Sequence, residues 1–148
     1  MEIKPFEIAH IKDMELREPD RRALQGIGDV EAYIAQWTKM GLGFTAFVDG
    51  RPICAGGVVL LRQGVGEAWA LTTVLVENHA LAVARFAIKG LPTICKALEL
   101  HRVQVAVQRC HGASQRLIER MGFTCEGLLH LYGSNGEDYV LYAAYPEV

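Results

Sequence analysis

The chain has 148 residues, of which 51% are hydrophobic and 22% charged, and its formal net charge is −2 at pH 7. These values are typical of a soluble globular protein, and we expect one domain over residues 1–148. The slight acidity argues against nucleic-acid binding, which needs a basic surface. No apolar run approaches the ~18 residues that cross a bilayer. The N-terminus MEIKPFEIAH lacks the apolar centre of a signal peptide. We therefore expect a cytoplasmic protein that makes no membrane contact.

Cysteine and histidine give no sign of a metal or redox site. The four cysteines are widely spaced and contain no C-x-x-C pair: Cys54, Cys95, Cys110 and Cys125. They are expected to be reduced thiols that pack as small hydrophobic side chains. Because the five histidines include no i,i+4 pair, we also expect no bound metal ion.

The first 26 residues are weakly patterned. IKPFEIAHIKDM predicts a short edge strand ending near Pro5, then a helical turn that carries Ile8, Ile11 and Met14. The next segment, ELREPDRRALQGIG, is charged and punctuated by proline and glycine. Two interpretations stay open for it, a short helix and a solvated, mobile connection.

A helix and a hairpin follow. Asp29 is the expected cap of a helix that begins at Val30 and stops at Gly41, with apolar positions three and four residues apart. Two strand-like runs flank Asp49-Gly50, a dipeptide that suits a tight hairpin turn. Within the second run, Gly56-Gly57 predicts either a bulge or a close backbone approach.

The central stretch runs from Glu67 to His101. It predicts a strand over Glu67–Val76 that is covered on both faces, three break residues, and a long apolar helix. The expected inward positions of that helix are Leu81, Ala84, Ile88, Leu91, Cys95 and Leu98. Since their spacing stays in phase across Pro92, one helix kinked at that proline is favoured over two helices.

The last third predicts an alternating strand, a short helix and a hairpin. HRVQVAVQ alternates apolar and polar residues, and it should lie parallel to the central strand because a crossover helix joins the two. Gly112–Met121 follows as a helix closed by Gly122. Two further strand-like runs flank Ser134-Asn135-Gly136.

This order of elements resembles the GCN5-related N-acetyltransferase (GNAT) superfamily over nearly the whole chain. SQRLIERMGFTCEG, at Ser114–Gly127, is similar to the short helix, Gly-Phe pair and next strand of that family, and VDGRPICAGG is similar to its central hairpin. The resemblance implies an α/β (α+β) fold with a mixed, mostly antiparallel sheet flanked by about four helices. A central parallel strand pair would splay at the cofactor site.

The resemblance also implies a cofactor, acetyl-CoA, whose arm would pair with the strand edge near Leu75 and Val76. Its pyrophosphate would meet the start of the next helix, where backbone N–H groups are free for anions. The loop concerned corresponds to Asn78, His79, Ala80, Leu81 and Ala82, preceded by Glu77. The sequence departs from the family here, because the glycines are lost and Glu77 is acidic. His79 either donates to a phosphate oxygen or, with Asn78, only caps the helix.

The catalytic residues are expected by the same resemblance. Glu67 stands where the family often places a general base, although a surface glutamate is the alternative. The short-helix tyrosine of the family aligns with Ile118, which cannot donate a proton. Tyr132, which is expected on the strand that follows this helix, could replace it, or could belong to the core or an interface. His111 and Ser114 would contact the cofactor.

Two other constellations are weaker. Arg116 and Arg120 lie one helical turn apart, and either meet a 3′-phosphate or belong to a solvated face. Cys110 and His111 are adjacent, but neighbouring side chains diverge and no acidic partner is evident, so a Cys-His nucleophile is not expected.

Two functions follow. The first is an acetyl-CoA-dependent N-acetyltransferase acting directly on a small-molecule or peptide amine, as a monomer or homodimer. The second is a catalytically degenerate binding or structural protein, which the altered loop and the missing tyrosine favour. The overall pattern is also similar to small GNAT-like proteins of tailed phages and prophages, some of which are virion components. Fold similarity cannot separate these two functions.

Overall fold

In the computed structural model, which describes residues 1–146, one seven-stranded sheet carries helices on both faces. The strands are β1 (Glu2–Pro5), β2 (Gly41–Val48), β3 (Arg51–Arg62), β4 (Val65–Thr72), β5 (Arg102–Gln108), β6 (Thr124–Leu129) and β7 (Tyr139–Ala144). The α-helices within these residues are α1 (Glu18–Leu24), α2 (Val30–Lys39), α3 (Ala80–Ala97) and α4 (Gly112–Arg120). Two 3₁₀ segments, Ile8–Asp13 and Val74–His79, complete the described part.

The sheet has the predicted mixed, mostly antiparallel topology. Its strand order is β1-β2-β3-β4-β5-β7-β6, and among the described strands only β4 and β5 are parallel neighbours. The parallel pairing covers Val65–Glu67 against Arg102–Gln104 and then stops. Because β4 continues to Thr72 and β5 to Gln108, the two strands diverge over their C-terminal halves. The predicted splay is therefore present.

Glycines set the geometry of the β2–β3 hairpin. Asp49 and Gly50 both have positive φ, 50° and 74°, as the predicted tight turn requires. A Cβ on Gly57 would lie 2.1 Å from the Leu42 carbonyl oxygen of the neighbouring strand. Gly57 is thus a site of close backbone approach, while the bulge between these strands lies at Ala46/Phe47.

The two faces of the sheet have separate cores. One face packs against α3 and α4 through buried residues that include Leu91, Cys95 and Val103. The other packs against the first 3₁₀ segment and α2 through a cluster that includes Phe6 and Ile34. Burial on both faces explains why β4 and β5 are apolar along much of their length.

The central strand is shorter than the sequence predicted. β4 ends at Thr72, and the predicted strand residues Leu75 and Val76 lie in the second 3₁₀ segment. The Thr73 hydroxyl accepts from Leu75 N at 3.2 Å, and Val76 N donates to the Thr73 carbonyl at 3.1 Å. These local bonds replace ladder bonds, so the prediction of a strand edge at Leu75 and Val76 is wrong.

Helix α3 is a single helix that includes Pro92, as predicted, but its inward stripe is partly different. Leu91 and Cys95 are buried, whereas 64% of Leu81 is exposed. In the first half Val83 packs into the core and the Phe86 ring lies 6.3 Å from that of Phe44. Both sets of positions have helical spacing, so the spacing alone could not choose between them.

The charged segment after Met14 is folded onto the end of the central strand. We call Glu15–Asp20 the strap. Val74 N donates to the Glu15 carbonyl at 3.2 Å, and Arg17 N donates to the Thr72 carbonyl at 2.9 Å. The Asp20 carboxylate accepts from Thr72 N at 3.0 Å and from the Thr72 hydroxyl. Of the two interpretations left open, the short helix is correct, since α1 begins within the strap.

Burial predicts unequal effects for two leucines of α3. Leu91→Ala should lower the free energy of unfolding by about 2–5 kcal/mol, because it leaves a cavity in the core. Leu81→Ala should change it by less than about 0.5 kcal/mol, because that side chain is largely in water. Chemical denaturation of both variants measures the difference. A large loss for Leu81→Ala would mean that the first turn of α3 is covered.

The strap predicts a specific loss of amide protection. In Asp20→Ala the Thr72 amide loses its acceptor, so its hydrogen should exchange much faster than in the wild type. Asp29→Ala is the matched control, because it removes another carboxylate–amide bond, to Ala32 N at 3.0 Å, away from the strap. Residue-resolved hydrogen exchange checks both variants. Unchanged protection of Thr72 in Asp20→Ala would contradict the contact.

Candidate functional site

The candidate site is the opening between the diverging halves of β4 and β5. The Gly64 carbonyl accepts from His101 N and Arg102 N at 2.9 and 3.1 Å, so this edge of β4 faces β5. Backbone groups alternate along a strand, and Ala68, Ala70 and Thr72 therefore share that edge. The strap already uses both backbone groups of Thr72. The free part of the edge is therefore short.

A polar cluster lies at the end of the opening where β4 and β5 terminate, which we call its far end. Gln108, at the end of β5, donates from Nε2 to the Pro19 carbonyl at 2.9 Å, so the strap bridges the ends of both strands. Burial raises the pKa of the Asp20 carboxyl, although its bonds from Thr72 oppose the shift. Burial, and then the charge of Arg17, lower the pKa of His111.

We call the segment between β4 and α3, residues 73–79, the joint. The joint and the first turn of α3 contain most of the predicted cofactor residues. His79 occupies the N-cap position of α3, as one of the two interpretations expected, but its side chain makes no cap bond. Asn78, Ala80, Leu81 and Ala82 are exposed there. The carboxylate of Glu77 is turned to solvent, with 75% of its side chain exposed, and lies 4.0 Å from the Arg17 guanidinium. The joint therefore leaves the α3 amides accessible.

Helix α4 begins beside the same end of the opening. His111 occupies its N-cap position and makes no side-chain cap bond, and Ser114 is half-buried in the first turn. Ile118 packs against the core shared by α3 and α4, where it cannot act as an acid. Arg116 and Arg120 are exposed on the same helix.

Glu67 and Tyr132 lie on the other face, the one covered by α2. Glu67 alternates with Trp69 and Leu71, which belong to that face, and burial raises the pKa of its carboxyl. Burial, and then the charge of Glu67, raise the pKa of Tyr132. The prediction that Tyr132 lies on a strand is wrong, since it belongs to the β6–β7 loop. Its ring lies 5.2 Å from that of Tyr139.

Two loops meet beside this face. The Ser134 hydroxyl donates to the Gln25 carbonyl at 2.6 Å, and Asn135 Nδ2 donates to Gln25 Oε1 at 2.8 Å. In the β6–β7 loop, Asp138 accepts from Leu131 N and pairs with His130, both at 2.9 Å. These bonds fix the loop that carries Tyr132.

The described residues contain no group of three or more potential metal ligands, and Cys110 is exposed. Across residues 1–146, no helix is both long and apolar enough to cross a bilayer.

Sequence reasoning did not identify Arg17, Asp20 and Gln108 as site residues. Asp20 and Thr72 are 52 positions apart, and Pro19 and Gln108 are 89 apart. No local pattern reports a contact at such a distance. The only signal was a carboxylate in the first turn of a proline-initiated helix, which is common on protein surfaces.

The hydrogen-bond donors at the opening are better suited to the phosphates of acetyl-CoA than to its extended amide arm. Two helix starts without side-chain caps, at His79 and His111, together with Arg17, are suited to phosphate oxygens. The free part of the edge, which is the carbonyl of Ala68 and both backbone groups of Ala70, is suited to an extended amide chain. Thr72 has no free backbone group for such a ligand, because its amide and carbonyl are hydrogen-bonded to the strap.

Comparison with solved structures identifies the architecture. An acetyltransferase of the GNAT family from Streptococcus pneumoniae superposes with a TM-score of 0.72 at 16% identity, covering 99% of both chains. YncA from Salmonella typhimurium, solved with its cofactor acetyl-CoA, gives 0.76 at 13% identity over 100% of this chain and 95% of that one. The ribosomal-protein-S18-alanine N-acetyltransferase from Escherichia coli gives 0.70 at 15% identity, over 99% and 94%.

By sequence alone, no protein-family model and no curated protein matches. At identities this low, structural similarity establishes the fold and leaves the chemistry to the residues of the site. The superpositions cover nearly the whole chain and agree with the order of elements and the splayed parallel pair. The chain therefore has the fold of the GNAT acetyltransferases.

Proposed function

We propose that this chain is an acetyl-CoA-dependent N-acetyltransferase, one acyltransferase domain that transfers acetyl to a small-molecule or peptide amine. The main support is the placement of Glu67, a half-buried carboxylate at the point where β4 and β5 separate. In the superposed YncA the cofactor is acetyl-CoA. We call the point where β4 and β5 separate, after Glu67 and Gln104, the fork. Amine acetylation needs a general base close to the acetyl group and a binding site for the cofactor's phosphates. Glu67 at the fork and the two helix starts at the opening provide groups of these kinds.

The mechanism assigns each step to a named group. Acetyl-CoA, when bound, supplies the acetyl group as a thioester. Glu67 takes the proton that the amine nitrogen loses on forming its bond to the acetyl carbon, because burial has raised the pKa of its carboxyl toward that of a useful base. The Tyr132 hydroxyl, whose raised pKa keeps it protonated, gives its proton to the thiolate that is released when the bond between the acetyl carbon and sulfur breaks. The loops joined at Gln25 orient the amine, which lowers the entropy cost of attack.

One observation favours the second function, a binding or structural protein without catalysis. The strap takes the amide and carbonyl of Thr72, and Leu75 and Val76 lie in a 3₁₀ segment. An extended amide arm would therefore find only Ala68 and Ala70 as pairing partners on β4. Binding of acetyl-CoA separates the two functions, since only the enzyme requires it.

Acetyl-CoA should stabilise the wild type against heat. At about 100 times its dissociation constant the ligand should add about 2.7 kcal/mol, because it binds only the folded state. A thermal-shift titration measures this, with Ala80→Asp as a variant that places a carboxylate at the exposed start of α3. We expect the shift to vanish in Ala80→Asp while its melting temperature without ligand is preserved. No shift for the wild type at millimolar acetyl-CoA would exclude the enzyme.

Removing the carboxylate of Glu67 should abolish the acidic limb of the pH dependence of kcat/KM. Glu67 acts as the carboxylate, and its raised pKa means that kcat/KM falls, as pH is lowered, at a higher pH than an exposed glutamate would give. Glu67→Gln should lower kcat by about 100-fold or more and remove this limb. The thermal shift with acetyl-CoA should stay unchanged.

Glu99→Gln serves as the control for that variant. It removes an exposed carboxylate that follows α3 and that has no part in the proposed mechanism. Its kcat and pH profile should match the wild type. Equal turnover for Glu67→Gln and Glu99→Gln would remove Glu67 from the mechanism.

A further inference from the structure

The loop between β4 and α3 lacks the basic residue that phosphate binding calls for, and its first side chain is the acidic Glu77. The nearest identified cation comes from elsewhere in the chain. Arg17 belongs to the strap and lies at the end of β4, where its backbone N–H donates to the Thr72 carbonyl at 2.9 Å. Its guanidinium extends toward Glu77, 4.0 Å away. A residue 60 positions earlier in the sequence thus brings positive charge to the joint.

The surroundings of Arg17 indicate that this charge is available. Its Nη2 lies 4.0 Å from Glu77 Oε1, which is too long for a hydrogen bond, and 28% of its side chain is exposed. Within residues 1–146 the guanidinium donates no hydrogen bond. Glu77 is exposed over 75% of its side chain and is therefore a weak partner. The charge of Arg17 also acts on the Asp20 carboxyl, but that carboxylate already accepts two hydrogen bonds from Thr72. A guanidinium with five donors and no hydrogen-bonded counter-ion is suited to bind an oxyanion.

Arg17 also lies between two helix starts. On one side is the segment that leads from Glu77 to the first turn of α3. On the other is His111, the N-cap of α4. Its N–H donates to the Gln108 carbonyl at 3.0 Å, and the Gln108 side chain donates to the Pro19 carbonyl of the strap at 2.9 Å. Neither His79 nor His111 caps its helix with a side-chain bond. Free amides of two helices and one free guanidinium therefore point to a single kind of ligand, an anion with several oxygens.

We propose that Arg17 is the phosphate-binding cation of this site, supplied by the strap, and that Glu77 is the counter-ion it exchanges for the ligand. This rests on the proposed function, since the phosphates are those of acetyl-CoA. The loop has gained an acid, Glu77, and the strap supplies a cation that offsets its charge. Its hydrogen bonds to Thr72 have a second role here, because they hold Arg17 at the joint.

The proposal predicts opposite effects for the two members of the pair. Arg17→Gln should weaken acetyl-CoA binding by about tenfold or more, which corresponds to one charge-assisted contact. Arg17→Lys should restore part of the affinity. Glu77→Gln should strengthen binding, because the guanidinium no longer has a competing carboxylate. The differences should shrink in high salt.

The experiment measures dissociation constants by calorimetry for acetyl-CoA and for acetyl-pantetheine, which has the same thioester and no phosphates. Arg17→Gln should affect only the first ligand. Arg22→Gln is the matched control, because it breaks another arginine–glutamate pair of the same region, to Glu18 at 2.5 Å, away from the joint. It should leave both constants unchanged.

Three results would overturn the proposal. Unchanged acetyl-CoA binding in Arg17→Gln would show that Arg17 does not contact the phosphates. Equal weakening of both ligands would show that Arg17 acts through the strap or the fold. Absence of binding by the wild type to either ligand would remove the proposed function as well, so the two failures are distinguishable.

Discussion

The parallel pairing between β4 and β5 joins only residues Val65–Glu67 to Arg102–Gln104, and the rest of the site depends on its early end. Strand backbones that separate inside a sheet leave polar groups without partners, which is costly unless another group replaces the ladder. At Thr72 the strap provides the missing hydrogen-bond partners for the amide and the carbonyl. Ala68 and Ala70 stay on the part of the edge that faces the opening. The same divergence places Glu67 at the fork, where its carboxyl is half-buried.

The opening is electrostatically polarised. Its joint end contains Arg17 and the starts of α3 and α4, while the fork contains Glu67 and the neighbouring Tyr132. A ligand with phosphates at one end and a reactive thioester at the other would match both ends, provided that the amine approaches from the face of α2. The strap limits this match, because it occupies the amide and carbonyl of Thr72. The two candidate functions therefore differ in how far the arm of acetyl-CoA would have to enter the opening.

Most of the fold was predictable from sequence, because periodicity and turn chemistry act over short distances. The Asp49-Gly50 turn, the cap at Asp29 and the parallel pair joined by α3 all followed from such signals. The end of β4 did not, because Thr73 forms side-chain bonds that compete with a strand of good propensity. Nor did the strap, because its contacts join distant residues and its composition is that of a solvated surface.

The distance between those residues has a consequence for folding. The bond from Gln108 to Pro19 closes a loop of 89 residues, and the bond from Thr72 to Asp20 closes one of 52. Contacts of this separation form after local turns and helices, because closing a long loop costs entropy before any contact offsets it. The hairpin and α3 can therefore form while the far end of the opening is still unmade. A nascent chain would complete this end of the opening only when its first and last thirds have met.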